Sequence, residues 1–213
     1  MQRSDIINLL IKKNGYKNYL EIGLDDPRNN YLLINCENKE SVDPYPIEQH
    51  TNLNMDVSNG IPQIVFDNLT YRETSDEFFA HNNKKYDIIF IDGLHLEEQV
   101  KKDIINGLKC LNKGGKIVVH DCIPTCERAQ MEEINPYNWN GTVWKAIPEL
   151  EKQHINYKVV DTDYGCGIID YYEYPELLYY PSKSKLTWKD FERDGRNFMH
   201  VISENEFFEK YVL

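Results

Sequence analysis

Tyr86-Asp87-Ile88-Ile89-Phe90-Ile91-Asp92 is an apolar run broken only by Asp87 and ended by a second carboxylate. A strand that is apolar at consecutive positions needs cover on both faces, which helices on either side of a parallel sheet supply. Lys116-Ile117-Val118-Val119-His120 is a second run of this kind, and it ends on the same sort of polar tip. Between the two runs, residues 96–111 read as a helix that stops at Lys113-Gly114-Gly115.

The alternation continues in both directions. Upstream, Ile6, Ile7, Leu9, Leu10 and Ile11 predict an amphipathic helix capped by Ser4 or Asp5 and ended by Asn14-Gly15. Strands follow over 18–23, over 40–43 before Pro44, and over 69–72, and a short helix starts at Ser75 under a Thr74 or Ser75 cap. Downstream, 142–153 reads as a helix and 157–160 with 167–171 as a closing antiparallel pair. This pattern predicts an α/β fold, a doubly wound, Rossmann-like, mostly parallel sheet with a closing antiparallel strand, in a single domain 1–213. Its core is 1–175. The extension 176–213, with Trp188, Phe191, Phe198, Phe207 and Phe208, is expected to be irregular and helical and to pack on the core or on a partner subunit of a homo-oligomer.

Composition narrows the function. With 24 basic and 35 acidic side chains the net charge is -11, which repels a nucleic-acid backbone. The paired lysines 12–13, 84–85 and 101–102 fall at helix ends or outer faces, where solvated lysine is expected. No apolar run reaches the length of a membrane span, and the first residues have no signal-peptide core, so the expectation is a cytoplasmic protein without a membrane partner. Five cysteines cannot all pair, and none form two-residue hooks for zinc, so they are expected as reduced, mostly buried thiols.

Ligands of doubly wound sheets sit beyond the carboxyl ends of the strands. The tips here are Glu21 to Asp26, Asp43, Thr74-Ser75-Asp76, Asp92 to His95, and His120-Asp121. Asp43 lies at the distance from Gly23 where an acid can accept from both hydroxyls of a ribose. A diphosphate needs glycine-rich backbone, whereas Gly23 is followed by Asp25 and Asp26, which repel phosphate and suit an ammonium or sulfonium. An ordinary capping turn before Pro27 accounts for the two acids equally well.

At these residues the chain resembles class I S-adenosylmethionine-dependent methyltransferases, in particular the branch associated with polysaccharide and antibiotic-sugar O-methylation. The stretches that carry the resemblance are 19–23, 42–44, 74–79, 89–95 with Glu98-Gln99-Val100 and Asp103, 114–122, and Trp139-Asn140-Gly141 with 143–146. It implies that S-adenosylmethionine is held by Glu21, Gly23, Asp43 and, around the adenine, Thr74, Ser75 and Asp76; Asp25 and Asp92 are further candidate contacts of the cofactor. Further glycines common in the family are replaced here by Pro27-Arg28-Asn29-Asn30.

Transfer of a methyl group to a hydroxyl requires alignment and removal of a proton. His95 is the expected general base, with His120 its competitor and Asp92 and Asp121 beside them; a structural histidine that caps a helix is the plain alternative. Similarity to sugar methyltransferases implies a divalent ion, Mg²⁺ or Mn²⁺, at Asp92, His120 and Asp121. A histidine in that set disfavours Mg²⁺ and leaves Mn²⁺ or a metal-free site open. Trp139 and Asn140 suit a sugar ring, whereas Trp144 suits the core. The expected acceptor is a sugar hydroxyl, on a nucleotide sugar or a glycan, with a small phenolic metabolite as the alternative. A non-catalytic binding partner with this fold would have no need of Asp43, Asp92, His95 and Asp121.

Overall fold

The apolar run 86–91 is the strand β3 (Tyr86–Ile91), and it lies inside the sheet between β1 (Asn18–Ile22) and β4 (Leu111–Val119), parallel to both. The structure is a computed structural model that describes residues 1–44, 67–135, 138–178 and 183–213. β2 (Asn38–Val42) continues the parallel sheet beyond β1. On the other side β6 (Cys166–Asp170) runs antiparallel to β4, β5 (Tyr157–Val160) antiparallel to β6, and β7 (Val201–Ile202) parallel to β5. The resulting order is β2-β1-β3-β4-β6-β5-β7. Strand order therefore reverses between β1 and β3, and a crevice opens beyond their carboxyl ends.

Side chains alternate along each central strand, so the sheet serves two cores. Ile88, Phe90 and Val118 face α1 (Arg3–Asn14), where they bury Ile6, Ile7 and Leu10 together with Phe207 and Tyr211. Ile89, Ile91, Ile117 and Val119 face α3 (Glu97–Cys110), against Val100, Ile104, Leu108 and Trp144. Each large apolar side chain buried in this way contributes roughly 1.5–3 kcal/mol before entropy is counted. The doubly wound architecture and the closing antiparallel strands are as expected.

Several elements differ from the sequence reading. The strand expected at 69–72 is a single parallel bridge from Tyr71 to Val42, at the outer edge of β2. The helix α2 (Ser75–His81) follows it, capped by Thr74. The 142–153 stretch is two 3-10 segments, Val143–Lys145 and Pro148–Gln153, because Pro148 has no N–H to carry a helical ladder across the junction. Trp144 is fully buried there, as its core reading had it. The first helix starts under Gln2, whose backbone N–H donates to Asp5 inside the first turn, so neither Ser4 nor Asp5 is the cap. Lys101 is buried and paired with Glu97, contrary to the solvated lysine expected. The C-terminal residues form α4 (Trp188–Phe198), α5 (Glu204–Phe207) and a closing π-helical turn, but they also supply β7, an edge strand absent from the sequence reading. All five cysteines are unpaired, with Cys110, Cys122 and Cys166 buried.

Candidate active site

The tips of β1 and β3 touch. Gly23 has φ +89°, and a Cβ on it would lie 2.2 Å from the Asp92 carbonyl oxygen, so only glycine permits this approach. Asp43, at the tip of β2, accepts from the backbone N–H of Leu24 at 2.8 Å and of Asp25 at 3.2 Å. The acid thus fixes the loop after β1 at the mouth of the crevice. Asp26 is engaged by Arg28, while Asp25 has a left-handed φ of 42° and lines the crevice.

Beyond β3 and β4 the crevice widens into a cavity of about 400 Å³. His95 stands at its centre. Its Nε2 lies 3.2 Å from Asp92 Oδ1, its Nδ1 lies 3.3 Å from Asp121 Oδ2, and its ring stacks on Trp139 with centroids 5.0 Å apart. Burial favours the neutral ring, but the hydrogen bond and charge of Asp92 and the charge of Asp121 outweigh it and raise the His95 pKa. Burial also pushes the Asp92 carboxyl up, and His120 and His95 more than reverse this, holding it well below the ordinary range.

The loop that carries Trp139 is seated by a second obligatory glycine. A Cβ on Gly141, φ +58°, would lie 2.0 Å from the His95 carbonyl oxygen, to which Thr142 N–H donates at 2.8 Å. Asn140 is buried and donates from Nδ2 to Asp121 Oδ1 at 2.6 Å. Asp121 itself has φ 60°, a strained value for a residue with a side chain and one that recurs at functional sites.

His120 lines the same cavity. Its Nδ1 is 3.2 Å from Asp92 Oδ1, its Nε2 is 3.6 Å from Asp163 Oδ1, and Arg3 Nη1 lies 3.2 Å from Nδ1. Burial lowers the His120 pKa, but Asp92, Asp121 and Asp163 raise it well above the ordinary value. In the charged ring Nδ1 donates to Asp92, and the arginine merely sits beside it.

The structure brings Asp25, Asp92, His95, His120, Asp121, Trp139 and Asn140 to one cavity. It keeps others apart. Glu21 is sealed beneath the sheet tip, where it accepts from the Tyr19 hydroxyl and, at 2.9 Å, from Asn30 Nδ2, so it does not line the crevice. Thr74 caps α2, Ser75 accepts from Gln99 at 3.0 Å, and Asp76 pairs with Lys102 at 2.8 Å, away from that cavity. The ligand atoms that lie within 4.8 Å of one another belong to Asp92, His95 and Asp121, so His95 rather than His120 completes the candidate metal set. A larger hollow of about 520 Å³ at the opposite ends of the strands, around Lys39, Glu40 and Lys84, has no such convergence of acids and histidines.

Two contributors were missed. Arg3, in the first turn of α1, donates from Nη1 to Asp92 Oδ2 at 2.8 Å and from Nε to Asp163 Oδ2 at 2.9 Å. Asp163-Tyr164-Gly165 is the turn between β5 and β6, with three consecutive left-handed residues at φ 46°, 60° and 89°. The antiparallel pair was legible, and its turn must lie at the same sheet end as the β4 tip, which was the available signal.

Comparison with known proteins bears on the fold that carries this site. Residues 28–122 match a family model described as a methyltransferase domain. No curated protein sequence matches. Among solved structures, the O-methyltransferase from Bacillus cereus in complex with S-adenosylhomocysteine is 13% identical over 80% of each chain, with a TM-score of 0.53. TomG from Streptomyces achromogenes, an O-methyltransferase involved in tomaymycin synthesis and solved with S-adenosylmethionine, is 12% identical over 80% of each chain, with a TM-score of 0.52. A methyltransferase from Podospora anserina bound to S-adenosylhomocysteine is 15% identical, covering 78% of this chain and 76% of its own, with a TM-score of 0.50. At such identities the likeness is one of fold. Residues 28–122 are thus similar to a methyltransferase domain, set in a fold shared with structures solved with S-adenosylmethionine or its demethylated product.

Proposed function

We propose that this chain transfers a methyl group from S-adenosylmethionine to a sugar hydroxyl. The observation that carries the reading is His95, held between Asp92 and Asp121 and stacked on Trp139 inside the cavity at the strand tips. Bound S-adenosylmethionine supplies an electrophilic methyl on a sulfonium and becomes a neutral thioether when the methyl leaves. Asp43 and the Gly23 loop hold the ribose and methionine end, with Asp25 facing the cationic part, and the turn at Thr74, Ser75 and Asp76 borders the adenine.

On the acceptor side, the hydroxyl oxygen uses a lone pair to form the new C–O bond as the S–CH₃ bond breaks toward sulfur, and its proton passes to His95. The ring must arrive neutral, and the imidazolium it becomes is stabilised by Asp92 and Asp121. Trp139 offers an indole face to a sugar ring and Asn140 fixes Asp121.

The same three side chains fit a divalent cation, each offering one ligand atom with all three atoms within 4.8 Å of one another. One nitrogen and two carboxylates suit Mn²⁺ better than Mg²⁺, and an ion held there would acidify a hydroxyl. A phenolic acceptor is the second reading, favoured by the exposed apolar side chains Leu94, Met131 and Ile134 on the loops around the cavity. Unpaired cysteines fit a reducing, cytoplasmic setting, and among the described residues no helix is long and apolar enough to cross a membrane.

Calorimetry with S-adenosylhomocysteine tests the donor half, and its release during incubation with S-adenosylmethionine and sugars tests the reaction. Absence of binding at millimolar product would sink the reading.

A further inference from the structure

The cavity around His95 is lined by acceptors, and the cations among them, Arg3 and His120, are set against carboxylates. Carboxylates of Asp25, Asp92 and Asp121 line it, and Asn140 Oδ1 is buried with no hydrogen-bond partner. The Asn140 amide cannot turn over to cure this, because its Nδ2 is committed to Asp121 Oδ1 at 2.6 Å and reversal would set two oxygens against each other. An unpaired buried acceptor costs about 1–3 kcal/mol.

Among the described residues, Arg3 is the one lysine or arginine that lines the cavity. Its charge is shared between two carboxylates: Nη1 faces Asp92, and Nε and the backbone N–H face Asp163. The remaining stretches of sequence, 45–66, 136–137 and 179–182, contain neither lysine nor arginine. A phosphate is a pure acceptor with a double charge; here it would meet the carboxylates of Asp25, Asp92 and Asp121, while the cations beside them, Arg3 and the charged His120, already face Asp92 and Asp163. A hydroxyl or an ammonium, in contrast, is a donor suited to the carboxylates that line the cavity. Trp139 and Tyr164, both lining the cavity, add two aromatic faces to it.

We propose that the acceptor is a phosphate-free sugar, carried on a glycan or an aglycone, with hydroxyl or amino donors around the reacting oxygen, and that nucleotide-linked sugars are rejected. This inference rests on the methyltransferase reading above and selects one of its two acceptor forms.

The test pairs acceptors that differ only in the diphosphate. The full chain, with saturating S-adenosylmethionine and with added Mn²⁺ in a parallel series, is given methyl glycosides of neutral hexoses and 2-amino-hexoses. The same sugars are offered as uridine diphosphate conjugates, and S-adenosylhomocysteine release is followed. The expected result is a kcat/KM at least tenfold higher for the phosphate-free member of each active pair. Calorimetry on the S-adenosylhomocysteine complex should show the same order of affinity. Equal or better use of the nucleotide-linked sugar would overturn the inference, as would failure of every glycoside both to turn over and to bind. Failure of S-adenosylhomocysteine itself to bind would instead strike the underlying methyltransferase reading. Asn138, at the cavity wall and outside the histidine-acid set, gives a gain-of-function arm. Asn138→Lys supplies a further cation and should narrow the preference by at least threefold, and an unchanged ratio would count against charge as its cause.

Discussion

Glu21 shows how a residue can fit a ligand-binding pattern and still serve the fold. Buried under the Tyr19 hydroxyl and the Asn30 amide, its carboxyl is pushed up to about 8 by loss of water, against the pull of those two donors. Asn30 Oδ1 beside it lacks a partner, which a protonated Glu21 could supply if the amide were reversed. Because the folded-state value lies above the unfolded one, the folded protein holds more protons between roughly pH 4.5 and 8. The stabilisation is present below that window and lost as pH rises through it. Glu21→Gln should remove this loss, so the difference in unfolding free energy between variant and parent should move in the variant's favour by a few kcal/mol from pH 5 to 8.5. Urea titrations at each pH would show it, and a constant difference would mean that Glu21 is ionised in the fold. His95 makes the complementary prediction. His95→Ala should lower kcat by about 10²–10⁴-fold while S-adenosylhomocysteine affinity, by calorimetry, changes little. Since neighbouring acids raise its pKa, parental kcat should climb with pH to above the ordinary histidine range before levelling.

At the scale of elements, the crevice is assembled from pieces that each bring one group. The first helix brings Arg3, which bridges Asp92 of the β3 tip to Asp163 of the β5–β6 turn. Arg3→Ala leaves two carboxylates with less compensation in a half-buried place. It should cost about 1–3 kcal/mol in chemical denaturation, and Arg3→Lys should restore only part because an ammonium lacks the fork. The β2 tip brings Asp43, which holds the loop after β1 by two backbone N–H groups. Asp43→Ala should therefore weaken S-adenosylhomocysteine binding by more than tenfold, through the loop as well as the ribose. Unchanged affinity in calorimetry would remove Asp43 from the donor half.

For the molecule as a whole, the two ends of the chain meet on one face of the sheet, where Phe207 and Tyr211 complete the core beneath α1. Phe207 is fully buried, so Phe207→Ala should cost about 3–5 kcal/mol in urea denaturation. Because α1 carries Arg3, the same variant should lose turnover at temperatures where it is still folded. The central strands were legible because burial on both faces leaves an unbroken apolar run, and the end of α1 and the start of α2 because Gly15 and Thr74 mark them; α3 has Leu96 and Leu111 at its ends, and the glycines expected to stop it lie inside β4. β7 was not, since two residues show no period, and neither were the 3-10 segments, where a helical spacing of apolar residues hid the break at Pro148. In the crevice, acids and histidines after strands could be read directly. Arg3 could not, because an arginine in the first turn of a surface helix looks the same whether it meets water or a carboxylate. Glu21 was misplaced for the opposite reason: its lid, Asn30, lies in a loop whose return over β1 no local pattern announces.

The seating of Gly141 on the His95 carbonyl has a practical corollary for anyone wishing to redirect the enzyme. The described residues 125–135 are tied down where Ala129 accepts from the Asn140 and Gly141 N–H groups and Gln130 from the Trp144 indole, so the exposed positions among them can be randomised for new acceptors while Ala129, Gln130, Asn140, Gly141 and Thr142 are kept. Variants drawn from such a library should retain donor affinity throughout, and selection can then act on acceptor choice alone.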